Sequence, residues 1–274
     1  MAEIDFDEID DWAPPLRSVL KAFLPPDIEN ILVSRWPEFI EDALDTIFEI
    51  SDRDAIIDTT LDCVRSETIV GYHGTRLTSE EIESTRERGL LPLDASARRT
   101  RLTRALSEHP QWQSVSSRLD EALEKHGRVQ RAGGREGQVH LTLSRSGLVN
   151  GFNHYLSHGS EFDQHVAHYL LGDEGKELLQ KDGAPTLLKF AVPGDVALEV
   201  AHPFFGIDDV RRQGDVPNII SEFLKAWSYA LAHPGFQSNT LRVDCGLFFR
   251  RAIPPDWLVA VEPVAYSDDS SVSG

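Results

Sequence analysis

The sequence predicts an α+β fold with an acidic helical module at its N-terminus. Three observations lead there. The first quarter of the chain carries apolar residues at spacings of three and four, the period of helices that bury one face. From residue 67 onward, short strand-like runs alternate with helical stretches, and two strand-like runs close the chain, which favours α+β over a doubly wound fold. Neither GxGxxG nor GxxxxGK[ST] occurs, so the sequence gives no support to a Rossmann or P-loop unit.

In the first quarter, helices are expected over LRSVLKAFL (16–24), IENILVSRW (28–36), PEFIEDALDTIFEI (37–50) and DAIIDTTLDCV (54–64). Pro25 and Pro26 separate the first two. Pro37 suits the first residue of the third, where its missing N–H would have no partner in any case. Residues 1–66 hold 17 acidic and 5 basic side chains, a net of −12 within the chain's −18. They are expected to form one acidic helical module that packs on or caps a second domain, 67–266, ahead of a disordered tail, 267–274.

The second domain is expected to open on a strand, TIVGYHGT, followed by a helix over 79–89 with Thr78 or Ser79 as N-cap and Gly89 as C-cap. Residues 95–135 are arginine-rich with further helices, and RAGGREG (131–137) reads as a loop. QVHLTLS (138–144) alternates like a strand. Residues 154–160 read as loop. EFDQHVAHYLLG (161–172) reads as a helix with Phe162, Val166, Tyr169 and Leu170 on one side. TLLKFAVPG (186–194), TLRVDCGLFF (240–249) and DWLVAVEPV (256–264) read as strands, and PNIISEFLKAWSYAL (217–231) as a helix.

Charge and cysteine content narrow the function classes. A net charge of −18 on 274 residues repels phosphate backbones and anionic membranes, so general nucleic-acid binding is disfavoured. Cys63 and Cys245 form no CxxC, which argues against a disulfide framework and for reduced thiols in the cytoplasm. The acidic start is unlike a signal peptide, and no apolar run is long enough to span a bilayer.

The chemistry-bearing stretch is IVGYHGTRL, with His73 between Tyr72 and Gly74. The order of elements around it is a strand ending YHGTR, a helix closing RGLLP, the strand VHLTLS, a helix holding Ala167-His168-Tyr169, a strand running into VPGDVAL and a final strand after IPPDW. This order resembles the ADP-ribosyltransferase family of the His-Tyr-Glu type, which includes diphtheria-like toxins and poly-ADP-ribose polymerases, over about residues 67–264. The resemblance implies a split mixed or antiparallel sheet and NAD as substrate. It implies that His73 orients the ribose, that the backbone at Gly74 meets the nicotinamide amide and that Thr75 is the small hydroxyl that follows. Tyr169 would stack on the nicotinamide ring, with Tyr155 as competitor, and Tyr72 and Arg76 would lie in the NAD site, Arg76 toward the pyrophosphate. These roles fit the chemistry: the ring needs an aromatic face, its carboxamide needs backbone partners, and a ribose cation needs favourable electrostatics.

The family's glutamate position falls near Gly246, so Asp244 or Gln237 is the candidate third residue, with Glu262 fitting less well. The acceptor is expected to be a protein rather than nucleic acid, and a protein partner could dock through the acidic helices. The alternatives are a non-catalytic NAD or ADP-ribose binder and an enzyme acting on RNA 2′-phosphate. No metal is expected: His154, His158, His165 and His168 lack an HExxH or a cysteine pair. No GxSxG supports a serine nucleophile. Arg98, Arg99, Arg101 and Arg104 are expected to form a solvated or internally paired face, against the acidic module.

Overall fold

A computed structural model describes residues 3–127, 137–241, 243 and 245–265. The expectations for Asp244, for the tail after 266 and for most of RAGGREG lie outside the described residues. The rest is mixed α and β, with helix outweighing strand at 59% against 15%, so helices supply most of the packing and one sheet positions the site.

Six strands form that sheet: β1 (Glu3–Ile4), β2 (Thr68–Leu77), β3 (Val139–Thr142), β4 (Ala184–Pro193), β5 (Gly246–Phe249) and β6 (Leu258–Pro263). Their order is β5-β3-β2-β4-β6, with β1 beside β2 off that path. β1 runs parallel to β2, Ile4 opposite Ile69. β4 and β6 are antiparallel, with Leu188 opposite Val261 and a register shift between Lys189 and Phe190. β2 has partners on both edges, and its residues are almost all buried, as a strand enclosed on both faces requires.

The chain divides into two compact units. One unit is Met1–Gly71 with Leu141–Gly147 and Ala191–Phe248; the other is Tyr72–His140 with Leu148–Phe190 and Phe249–Gly274. The acidic segment shares its unit with later parts of the chain. In that first unit the helix Ile9–Leu20 begins well before residue 16 and contains Pro14 and Pro15. Ile9, Trp12, Leu16 and Leu20 are all buried, and that stripe at spacings of three and four offsets two missing hydrogen bonds. Trp12 packs edge-to-face on Phe223 at 4.9 Å, and Phe223 on Phe6 at 5.5 Å. Asp7, nearly buried, accepts 2.8 Å hydrogen bonds from Ser144 Oγ and from the Ser146 N–H. It thereby satisfies the first turn of the helix Arg145–Asn150, and its burial raises its pKa.

The third N-terminal helix starts at Ile40, not at Pro37; Pro37 instead offers its carbonyl to His233 Nε2 at 2.9 Å. In the second unit the helices Ala95–Leu106, Leu119–Gly127 and Glu161–Leu179 pack around Leu102, Leu106, Leu123, Phe162, Val166 and Leu170. The last helix runs past Gly172, which interrupts it at φ 64°. His154–His158 is a short helix rather than a loop. Among the described residues of 240–249 strand is found in β5, and a 3₁₀ turn occupies Ser238–Thr240.

Candidate active site

His73 lies on β2 as its half-buried residue between Tyr72 and Gly74, both buried. Its Nδ1 stands 2.8 Å from the His140 carbonyl oxygen on β3. A carbonyl only accepts, so Nδ1 carries the proton and donates it. Burial lowers the His73 pKa below the ordinary histidine value; the bond to the His140 carbonyl opposes the shift and the charge of Arg98 adds to it. The ring is therefore neutral at physiological pH, with an Nε2 lone pair able to accept a hydroxyl proton.

The second feature of this unit is a buried ionic network. The helix Ala95–Leu106 carries Arg98, Arg101 and Arg104 three residues apart, hence on one face. Arg98 Nε donates to Asp163 Oδ1 at 2.9 Å. Arg101 pairs with Glu81 at 3.0 Å and with Asp182 at 3.3 Å, and donates to the Arg76 carbonyl at 2.9 Å. Arg104 grips Asp182 with two 2.8 Å bonds. Burial and the neighbouring Arg101 pull the Arg98 pKa down to about 9, still above neutral pH, so the guanidinium keeps its charge. At Asp182 burial works to raise the pKa, but Arg104 and Arg101 outweigh it and hold the carboxyl below its usual value. These arginines thus pair with acids of their own unit.

Arg76 does not face an open cleft. It is buried, and its guanidinium is directed at backbone carbonyls: Gly183 at 2.6 Å, Leu156 at 3.3 Å, and Asp182 and Ser157 at 3.4 Å. That arrangement suits a guanidinium holding loops together and leaves the expected pyrophosphate contact without geometric support. Gly74 faces Leu148 and Leu156, whose methyls would lie 3.4 Å from a Cβ there, so its α-carbon is packed by leucines. Thr75 is buried.

Tyr169 lies in the helical layer of this unit. Its hydroxyl donates to Glu121 Oε1 at 2.8 Å, Lys125 Nζ and Arg118 approach its ring at 4.2 and 4.9 Å, and His126 meets it edge-on at 5.7 Å. The ring thus already carries cation partners. Tyr155 donates to Glu161 Oε1 at 2.9 Å and packs on His154 at 4.1 Å. Gln237 belongs to the first unit, where its Nε2 donates to Asp10 at 3.4 Å. The structure therefore joins His73 to the His140 carbonyl, while Tyr169 and Gln237 have other partners.

Asp163 and Asp182 were missed by sequence reasoning. The signal available was the arginine period of three over 98, 101 and 104, which marks one helix face in need of acidic partners. Among the described residues no group of three metal-ligating side chains comes together, and no helix is long and apolar enough to cross a membrane. No family model, no curated protein and no solved structure matches the chain.

Proposed function

We propose that this chain is an ADP-ribosyltransferase-like protein that binds NAD and cleaves its nicotinamide–ribose bond. The observation that carries this reading is His73: a half-buried imidazole on β2, neutral, with Nδ1 committed to the His140 carbonyl. Nε2 of such a ring would accept from a ribose hydroxyl and fix the sugar. The elements on which the resemblance rests also occur in the expected order around it, β2, β3, the helix Glu161–Leu179, β4, β5 and β6. In the reaction the bond from ribose C1′ to the nicotinamide nitrogen breaks and its electron pair leaves with nicotinamide. The acceptor's nucleophile then adds to C1′ and loses a proton. The chain would orient the sugar for that step.

A second reading, a binder of NAD or ADP-ribose without turnover, is favoured by one specific observation. Tyr169, the expected stacking ring, is engaged by Glu121, Lys125 and Arg118. Nicotinamide release from NAD, with and without a cell lysate, separates the two. The enzyme releases nicotinamide, and His73→Ala lowers the rate by about a hundredfold or more, the usual range for a lost orienting group. The binder shows saturable NAD affinity without release. Wild-type behaviour of His73→Ala would remove His73 from either role.

A further inference from the structure

Trp36 ends the helix Ile28–Arg35 in the left-handed region, at φ 46° and ψ 68°. It is the one described residue other than glycine with a positive φ. Helices often close on such a residue, but glycine is the usual occupant, because a Cβ is strained there. The tryptophan ring is not used in the core, being 68% exposed. Its backbone N–H closes the helix on the Leu32 carbonyl at 3.0 Å, and His233 packs against it. His233 Nε2 donates to the Pro37 carbonyl at 2.9 Å, and the His233 ring meets Trp36 edge-to-face at 4.9 Å and lies tilted on Tyr229 at 4.2 Å. A strained residue held by its surroundings and presenting a large ring to solvent points to a role at that residue.

Two apolar neighbours in sequence are exposed as well. Val33, one turn earlier, is 45% exposed, and Phe39, at the mouth of the next helix, is 63% exposed. Residues 33–45 hold four acids, Glu38, Glu41, Asp42 and Asp45, against one base, Arg35. Glu38, Asp42 and Asp45 are exposed, and among the described residues Glu38 and Asp45 have no cation within ion-pair distance. The nearest cation in sequence, Arg35, is tied to Glu49 at 2.7 Å. An apolar centre with a rim of uncompensated acid is complementary to a basic, apolar segment and repels nucleic acid and anionic lipid.

We propose that Val33, Trp36 and Phe39 anchor a docking surface for a basic amphipathic segment of a partner protein, with Glu38 and Asp45 steering it. The inference is independent of the NAD reading. The test measures binding of a lysine–leucine amphipathic helical peptide to the full chain by fluorescence polarisation, alongside thermal melts. Trp36→Gly keeps the net charge and suits the left-handed backbone. It should weaken binding by about tenfold or more, as loss of an aromatic anchor does, without lowering the melting temperature. Glu38→Lys with Asp45→Lys should also weaken binding. A glutamate–leucine peptide should not bind. Unchanged binding by Trp36→Gly would mean charge attraction alone and overturns the proposal. So would failure of the wild type to bind the peptide, or capture of the chain by anionic vesicles in its place. A lower melting temperature for Trp36→Gly would assign Trp36 to packing against His233 and likewise overturn it.

Discussion

At the scale of single residues, identity and environment diverge in an instructive way. His73 and Arg76 lie three apart on one strand, and both are polar groups in a buried run. Arg76 is matched by carbonyls on four residues, whereas His73 is matched at Nδ1 by a single carbonyl. The guanidinium is a structural group: Arg76→Ala would leave buried carbonyls without donors and should cost about 3 kcal/mol or more, read by urea denaturation. A wild-type midpoint would mean that water replaces the guanidinium. For His73 the sign of the pH effect follows from its lowered pKa. The unfolded chain takes up a proton as the pH falls through about 6.5, the ordinary histidine value, while the folded chain resists until lower pH. Stability should therefore be lost on acidification below about 6.5 and show no contribution from this group above it. His73→Gln should flatten that slope. A residual slope belongs to His126, whose pKa burial also lowers. An unchanged slope in the variant would show that His73 does not resist protonation.

At the scale of elements, the junction of the helix Ser79–Arg88 with the segment before β6 is a sharp test of the fold. Thr78 caps that helix by accepting from the Glu81 N–H at 3.2 Å while Glu81 returns a bond to the Thr78 N–H at 2.8 Å, the reciprocal pair of a capping box. Gly89 ends it at φ 76°, and a Cβ there would lie 1.9 Å from the Ile253 carbonyl oxygen. Leu90 and Ile253 exchange hydrogen bonds of 3.0 and 2.9 Å at this point. Gly89→Ala should thus destabilise by about 3 kcal/mol or more, since both backbone strain and overlap act; a loss under about 1 kcal/mol would mean that the two segments part easily. The caps and periods that define this helix are local, and so Thr78 and Gly89 were legible from the sequence, as were the centres of β2, β3, β4 and β6. The features that were not legible depend on distant residues. The helix start at Ile9, ahead of Pro14 and Pro15, rests on the burial of Ile9 and Trp12. Asp163 reads as one acid among many until Arg98 and Arg101 meet it. Tyr169 fits a stacking role by its place on the helix Glu161–Leu179, and only packing against the helix Leu119–Gly127 reveals the cations on its ring. For the candidate site, His73 was singled out from the sequence, but its carbonyl partner on β3 was not.

At the scale of the whole molecule, charge is the dominant long-range term. The net of −18, with −12 in the first 66 residues, makes the acidic side chains repel one another across distances beyond hydrogen-bond range. Exposed ion pairs such as Arg99–Asp120 and Arg65–Asp62 are each worth little. The Arg101 pairs, at 5% exposure of that side chain, are shielded from solvent ions. Salt should screen the repulsion, which acts over about 10 Å at 0.1 M ionic strength, while leaving the buried network intact. The melting temperature should therefore rise when sodium chloride is added to a low-salt buffer, most steeply at the first additions, and then level off. Replacing Glu38 and Asp45 together by their amides should shrink the rise, because it removes acid from the segment that carries −12 of the net charge. A melting temperature that falls with salt would reverse the ranking. The surface pairs would then outweigh the repulsion, and the acid of the N-terminal helices would be contributing to stability instead of being held in place against a cost by the buried stripe of Ile9, Trp12, Leu16 and Leu20.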